Sequence, residues 1–558
     1  MFQEFTLSGE LYWKGIVIPT EELTDQISHY SGILSKYGDG DTPVALRLSK
    51  KPGAVICMLV MLEQGIPFLN IDKAIPVQRV QYMLETVHAK VMISDEDYHI
   101  DGVEIIRLSD LKSAESKLAT KNTSEIAYYL FTSGTTGRPK AVPIRRSSLA
   151  NFIQGMDDIL RLEKGTKILN LTSYSFDIVF LELFYSLYKG MQVVLCGEEE
   201  TNNMNELITL IKESKVEVIQ MTPSRLKMFR YLRPKLDCFS GVKYLLIGGE
   251  AFPFELLKDL QDLTKARIFN MYGPTETTIW SSVAELTNAN EIHIGSPILN
   301  TEIYILSEDD EILEPGKEGE IAIAGAGLSP GYWGNEEATR KAFVQIMVSG
   351  RTIRVYKTGD VGKYSEEGIL YCYGRIDNQI KLNGHRIETE DIDSNLTERN
   401  DVIDAVTCLN AATNTLVTFY KAENDIAPGD LNAYLSERLP DYMLPITYIQ
   451  VSEFDYTISG KTDCKKMLEH YVPDRIEREN NRNLTSTEQR VSDIFRKHMI
   501  EEVTKDSVIK EIVPDSVIYV QILVALEEEF DFEFDTDALE MSYFQTIHDL
   551  IDCIKSNS

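Results

Sequence analysis

Over roughly the first 125 residues, short apolar runs rich in β-branched residues alternate with longer stretches of helical period. Val44–Leu48 (VALRL) reads as a strand, Pro52–Gln64 as an apolar helix stopped by Gly65, and Lys90–Ser94 (KVMIS) as a strand. IPFLNID and a Pro-started helix from Pro76 to about Val87 lie between the last two. This βαβ rhythm predicts parallel sheet with helices on its faces. A helix over Ser147–Ile159 follows, then the strand KILNLT ending at Thr172, then a helical SYSFDIVFLELFYSLYKG. EVIQMTPS, KYLLIGGEAFP and RIFNMYGPTETTIW are three further strand-then-loop units, and ligands collect where such strands end. From about Ile292 the period shortens, with TEIYIL, GEIAIAG and GILYCYGR as short strands between turns. A compact α+β segment continues to about Met467. Pro473–Thr485 has no hydrophobic period and reads as a linker, and TEQRVSDIFRKHMI, SVIYVQILVALEEEF and TIHDLIDCI then read as amphipathic helices.

The expected fold is therefore α/β. It has a large N-terminal part (1–374) of parallel-type sheets with helices plus a β-rich portion, a small α+β part (375–470), a linker (471–485) and a small all-α bundle (486–558). At 558 residues and 43% hydrophobic, the chain can bury several cores. A net charge of −31 argues against nucleic acid and anionic membrane surfaces as partners. It leaves room for a local basic site. The seven cysteines are scattered and form no CxxC pair, so neither a zinc site nor a disulfide frame is indicated, and they read as small buried hydrophobes. MFQEFTLSGELYW lacks a basic n-region followed by an apolar run, and no segment approaches a membrane span, so a reducing cytoplasm is expected.

Candidate chemistry concentrates in loops. The strand-like IAYYLF runs into FTSGTTGRPK, where Thr132, Ser133, Gly134, Thr135, Thr136 and Gly137 precede Arg138 and Lys140. Small residues let backbone N–H groups approach phosphate oxygens, hydroxyls donate further bonds, and the basic pair offsets charge. The spacing is not GxxxxGK[ST], which disfavours a Walker-type NTPase. Taken alone, such a run also fits a flexible surface loop. Asp177 stands among Phe176, Ile178, Phe180 and Leu181, either as a helix cap or as a deliberately buried charge. NMYGPTETT sets Asn270, Tyr272, Thr275 and Glu276 in one turn: Asn suits a base edge, Tyr a ring, and Glu a Mg²⁺. YKTGD places Asp360 on a Gly turn suited to a ribose diol, and Lys461 lies in ISGKTD, where an exposed turn lysine is the plain alternative.

FTSGTTGRPKAV, SFDIVFLELF, NMYGPTETT, GEIAIAGAGLSPGYW, YKTGD, GRIDNQIKLNGHRIE and ISGKTD stand in a fixed order. Together, over about residues 10–470, the chain resembles the adenylate-forming enzymes, specifically the amino-acid adenylation domains of nonribosomal peptide synthetases. The tail resembles a peptidyl carrier protein, with Ser516 of VPDSVIYVQ at the 4'-phosphopantetheine attachment position. Ala141 and Arg146 depart from the family's usual Gly and His, and Val513-Pro514 from its usual Gly-Gly or Leu-Gly.

The resemblance implies a role for each residue. Thr132–Lys140 would cover the ATP phosphates, Asn270 and Tyr272 would contact adenine, Glu276 would hold Mg²⁺, and Asp360 and Arg375 the ribose. Lys461 would bridge substrate carboxylate and ATP, Asp377 would be the hinge of the smaller C-terminal subdomain, and Gly384 would leave room for the pantetheine arm. The substrate pocket would be Asp177, Ile178, Leu181, Gln220, Leu246, Gly248, Met271, Ile279, Trp280 and Lys461. That set resembles the family's glycine code, with alanine second. The expected product is aminoacyl-AMP, transferred as a thioester to the chain's own carrier. A phosphopantetheinyl transferase and a downstream condensing or acyl-accepting enzyme would be partners. Competing expectations are an acyl- or aryl-CoA synthetase, a D-alanine–carrier ligase, and a non-catalytic scaffold. Asp177 speaks against the CoA synthetase, because fatty and aryl acids carry no ammonium for it to hold.

Overall fold

The computed structural model describes the chain except residues 1–5, 114–121, 123, 135–137, 233–234, 378, 383, 412, 457–461, 472–485, 498–502, 505–506, 514–515, 531, 533, 535–537, 539–542 and 558. Thr135, Thr136, Gly137, Lys461 and most of the expected linker thus lie outside the described residues, as does the side chain of Ser516. The chain divides into two compact units, Met1–Ser133 with Pro139–Gly384, and Gly134–Arg138 with His385–Ser558.

The first unit is built on three sheets. A six-stranded sheet runs Glu104–Arg107, Val91–Ser94, Val44–Arg47, Phe68–Asn70, Ile126–Thr132, Lys140–Arg145; all neighbours are parallel except the last pair. A nine-stranded sheet is parallel from Arg267–Tyr272 through Tyr244–Gly248, Val218–Met221, Lys167–Asn170 and Gln192–Leu195 to Glu10–Trp13, with antiparallel strands at its edges. The central parallel strands, such as Val44–Arg47 and Val218–Met221, are buried on both faces, which explains their apolar runs, whereas the outer strand Glu104–Arg107 is only half-buried. The third sheet is antiparallel, five strands between Thr301 and Arg375.

Helix Pro52–Gln64 is buried without a gap from Ala54 to Leu62. A helix apolar all round belongs inside a core, and each Leu or Ile so buried contributes about 1.5–3 kcal/mol. Proline opens it, and Gly65 at φ 75° closes it in the left-handed conformation, returning its N–H to Leu62 and Met61 carbonyls. Arg146, at the start of helix Arg146–Leu160, donates to the Leu62 carbonyl, where a cation complements the helix's negative end.

The expected helix over Ser173–Gly190 is shorter than its apolar pattern. Residues 174–178 form turns, and helical structure begins at Val179, passes through a one-turn π-helix, Leu181–Tyr185, and runs into Ser186–Lys189. Asp177 therefore precedes the helix instead of lying within it, and no side-chain cap is made there. The strand expected to reach Thr172 ends at Asn170, because the amides of Leu171 and Thr172 turn to the Glu182 carboxylate.

The second unit contains a three-stranded sheet, Asp404–Asn410, Thr415–Lys421 and Thr447–Gln450, with helices Thr389–Thr397, Pro428–Ser436 and Cys464–Tyr471. Cys408 and Cys464 form a disulfide there, S–S 2.11 Å. This corrects the expectation that no disulfide is indicated. The pair is 56 residues apart, and only the packing of the last helix on the first strand brings it together. Cys57, Cys196 and Cys238 are buried and lie outside that disulfide. The unit ends in helices Ser486–Lys497, Ile509–Ile512, Ser516–Phe530 and Ile547–Asn557, which enclose Val491, Phe495, Tyr519, Ile522, Leu526 and Leu550. Among the described residues no helix is long and apolar enough to cross a membrane.

Candidate active site

The strand Ile126–Thr132 returns as Lys140–Arg145, with Thr132 paired to Lys140, so both ends of the Gly/Thr loop are held by one antiparallel ladder. Thr132 and Ser133 are buried where the loop begins. Lys140 Nζ lies 5.1 Å from the centre of the Tyr332 ring. Tyr332 hydroxyl donates to Glu276 Oε1 at 2.9 Å, and Glu276 is wholly buried. Tyr332 was legible only as part of the GYW motif. Its bond to Glu276 spans 56 positions and leaves no local signal.

Asn270 and Tyr272 alternate on the strand Arg267–Tyr272 and so project to the same face. Asn270 Nδ2 donates to the His293 carbonyl at 2.9 Å. The Tyr272 hydroxyl donates to Asp360 Oδ2 at 2.6 Å, and Arg375 Nη1 donates to Asp360 Oδ1 at 2.9 Å. Arg375 also grips Asp377 with two bonds, Nε to Oδ1 at 2.6 Å and Nη2 to Oδ2 at 2.7 Å. Burial, followed by the charge of Asp360, holds the Tyr272 phenol well above its ordinary range. Gly359, at φ 75°, makes room for this clamp: a Cβ there would stand 2.6 Å from Arg375 Nη2. Asp360 keeps unused lone pairs on both oxygens, so a diol can still donate to it.

Asp177 is buried, and its Oδ2 has no hydrogen-bond partner. Desolvation pushes its carboxyl up to about 6, opposed by a hydrogen bond from Thr275 and reinforced by the charge of Glu276. The Tyr128 hydroxyl, close enough to sense that charge, is likewise buried without a partner. A carboxylate kept from water beside unspent bonding capacity is organised for a cation that arrives with a ligand.

The remaining pocket residues share one core: Leu181, Leu246, Met271, Ile279 and Trp280, with Ile178 packed against it. Gln220, Leu246 and Gly248 come from adjacent parallel strands, with Gln220 opposite Leu246 and Gly248 opposite Met271. Trp280 Nε1 donates to Gln220 Oε1 at 3.1 Å. Its far edge closes on Gly248, where a Cβ would stand 2.7 Å from Trp280 Cη2 and 2.5 Å from the Met271 carbonyl. Thr278 and Ile279 take φ of 67° and 72°, a conformation that β-branched residues rarely adopt. Such strain persists only where surrounding structure imposes it, and here it delivers Trp280 across the pocket. Gly384, at φ 85°, approaches Thr222, whose Cγ2 would lie 2.9 Å from an added Cβ. Ser516 begins the helix Ser516–Phe530.

Parallel strands ending in a phosphate-type loop, a Tyr–Asp–Arg clamp and a pocket whose buried Asp177 carboxylate keeps one unpartnered oxygen define a class, a nucleotide-dependent α/β enzyme that binds a second, small substrate. Residues 18–333 match the family described as AMP-binding enzyme, and the chain belongs to that family. It is an ATP-dependent, AMP-forming ligase by class. It is 32% identical over 471 residues to the dimodular nonribosomal peptide synthase of Bacillus subtilis (strain 168), covering 81% of this chain and 20% of that protein. The chain thus spans a fifth of that relative's length. Its fold is similar to that of an NRPS protein containing adenylation and PCP domains bound to a vinylsulfonamide inhibitor (TM-score 0.83, 22% identity, 99% of this chain and 94% of that one). It is also similar to a four-domain nonribosomal peptide synthetase bound to AMP and glycine (TM-score 0.61, 27% identity, 100% of this chain and 42% of that one).

Proposed function

We propose that this chain activates an amino acid, glycine foremost and alanine second, as aminoacyl-AMP, and loads it on its own C-terminal carrier domain for nonribosomal peptide-type synthesis. The observation that carries this reading is the buried Asp177 carboxylate, its Oδ2 unpartnered, beside a pocket walled by Trp280, Met271 and Leu246. A carboxylate there suits an α-ammonium. The bulky walls leave little space for a side chain. Glycine bound to the four-domain synthetase of similar fold agrees with the choice.

In this scheme an amino-acid carboxylate oxygen bonds to the α-phosphorus of ATP as the α–β bridging P–O bond breaks, and pyrophosphate departs with the electron pair. The carboxylate is already ionised, so no general base is required. Catalysis is positioning plus neutralisation of charge. Asp177 holds the ammonium end and Lys461 the carboxylate end. Asp360 and Arg375 fix the ribose, Asn270 and Tyr272 the adenine. Thr132–Lys140 covers the phosphates. Glu276 offers a hard oxygen donor of the type Mg²⁺ takes alongside substrate phosphates, and the ion would supply positive charge at the phosphoryl group. Phosphopantetheine on Ser516 would supply the accepting thiol. Asp377 is proposed as the hinge between the two half-reactions, and Gly384 as the point that admits the arm. A phosphopantetheinyl transferase, a downstream acyl-accepting enzyme and a cytoplasmic setting complete the proposal.

ATP–pyrophosphate exchange across the amino acids tests it. The strongest exchange should come with glycine and weaker exchange with alanine. Strong exchange with phenylalanine or leucine would overturn the assignment.

A further inference from the structure

We propose that Glu182, which lies behind the substrate pocket, is a specificity-positioning residue: through the Gln220 amide it pins the Trp280 ring that limits substrate size. The inference rests on the pocket reading above. Glu182 is wholly buried. Its Oε2 accepts from Asn170 Nδ2 at 2.9 Å and from the backbone N–H groups of Leu171 at 2.9 Å and Thr172 at 3.1 Å. Its Oε1 accepts from Thr172 Oγ1 at 2.5 Å and Gln220 Nε2 at 3.0 Å. Lys50, buried beside it, donates to the carbonyls of Leu171 at 2.8 Å and Asn170 at 3.2 Å. Burial pushes the Glu182 carboxyl up, and the bonds from Thr172 and Gln220 and the charge of Lys50 oppose that push.

Five donors converge on this carboxylate, so it acts purely as an acceptor. That settles the orientation of Gln220. Gln220 Nε2 faces two groups that only accept, Glu182 Oε1 and the Ile178 carbonyl at 2.9 Å. The amide oxygen is left to face the Trp280 indole N–H, which only donates. The indole is thus tethered at its N–H end by Gln220 and stopped at its other end by Gly248. Leu181 and Glu182 are neighbours in the one-turn π-helix, a local widening often found at functional sites, so one residue lines the pocket while the next anchors its floor.

Replacing Glu182 by Gln reverses this logic. The new amide nitrogen cannot sit at the Oε2 side, where two of the three donors are fixed backbone groups. It must take the Oε1 side, where Thr172 can rotate its hydroxyl and Gln220 can flip its amide. A flipped Gln220 sets its oxygen against the Ile178 carbonyl and its Nε2 against the indole N–H, and an unflipped one sets two amide nitrogens together; either way the Gln220 amide is displaced and the ring loses its tether.

The test compares Glu182→Gln, Gln220→Met, Trp280→Phe and both doubles with Trp280→Phe by pyrophosphate exchange. Glu182→Gln and Gln220→Met should each raise the alanine-to-glycine ratio of kcat/KM about tenfold. In the Trp280→Phe background, which has no indole N–H, either change should move that ratio by less than about twofold. An unchanged ratio in the single variants, or an equal effect with and without the indole, overturns the proposal. If Glu182→Gln does not fold, Glu182→Asp, which keeps the carboxylate but draws it back from Gln220, takes its place in the same cycle, with the same outcomes deciding. Trp13→Phe and Trp333→Phe leave Trp280 as the sole tryptophan, since the chain has 3. In that background, loss of the tether should lower the emission anisotropy of Trp280 and increase its quenching by acrylamide, and unaltered emission overturns the relay. This readout needs no substrate, so the relay stands or falls separately from the glycine assignment.

Discussion

Asp177→Asn removes a charge that the fold holds out of water for the sake of a ligand. An acid whose folded value is raised binds its proton more tightly when folded. Its favourable contribution is complete below the ordinary 3.8 and is lost as pH rises to about 6. A carboxyl moved that far costs the unliganded protein about 3 kcal/mol at neutral pH. Asn escapes the charge but places an N–H₂ where Oδ2 has no partner, returning about 1 kcal/mol. The net gain is about 2 kcal/mol at pH 7.5, vanishing near pH 4 where the wild type is protonated. Urea unfolding of the unliganded chain at the two pH values measures this difference. The same substitution should cost pyrophosphate exchange with glycine about 30-fold or more, because the ammonium loses its buried partner. For the wild type, the KM for glycine should rise as pH falls through about 6, where Asp177 takes up its proton. A stability gain equal at both pH values, no gain at pH 7.5, or exchange left intact would refute the reasoning.

Three further outcomes are expected. Lys461→Ala should abolish adenylate formation yet still load the carrier from supplied aminoacyl-AMP, while Asp377→Pro, which fixes φ, should spare the kcat of exchange and slow loading, with a raised KM for ATP because Arg375 loses two bonds; equal impairment of the kcat of both half-reactions by Asp377→Pro would exclude it as the hinge. Treatment with a phosphopantetheinyl transferase and coenzyme A should add one pantetheine mass to the intact chain and none to Ser516→Ala, whereas an unmodified wild type would leave Ser516 as a helix-start residue only. Cys408→Ser should destabilise the oxidised second unit by up to about 4 kcal/mol, as expected for a loop of this length, and dithiothreitol should erase the difference from wild type.

Local order was legible because periodicity, proline, glycine and small-residue loops act over a few residues. The helix Pro52–Gln64, its Gly65 stop and the strands Val44–Arg47 and Val91–Ser94 follow directly from pattern. The ordered motifs also exposed most residues that the fold gathers: Asn270, Tyr272 and Glu276 share one strand and turn, and Asp360 and Arg375 meet across adjacent strands. Pattern failed where a distant partner overrides it. The turn holding Asp177 reads as helix because its apolar residues have helical spacing, yet the Leu171 and Thr172 amides turn to Glu182 and Asp177 stays ahead of the helix. The Cys408–Cys464 pair, the Tyr332–Glu276 bond and the Glu182–Gln220–Trp280 chain each join residues far apart in sequence. The sequence by itself determined the elements and the chemical types at the strand ends, since both rest on neighbouring residues. Only the tertiary structure decided which buried carboxylate is saturated by five donors and which, Asp177, keeps an oxygen without a partner, because hydrogen-bond satisfaction depends on every element packed around a group.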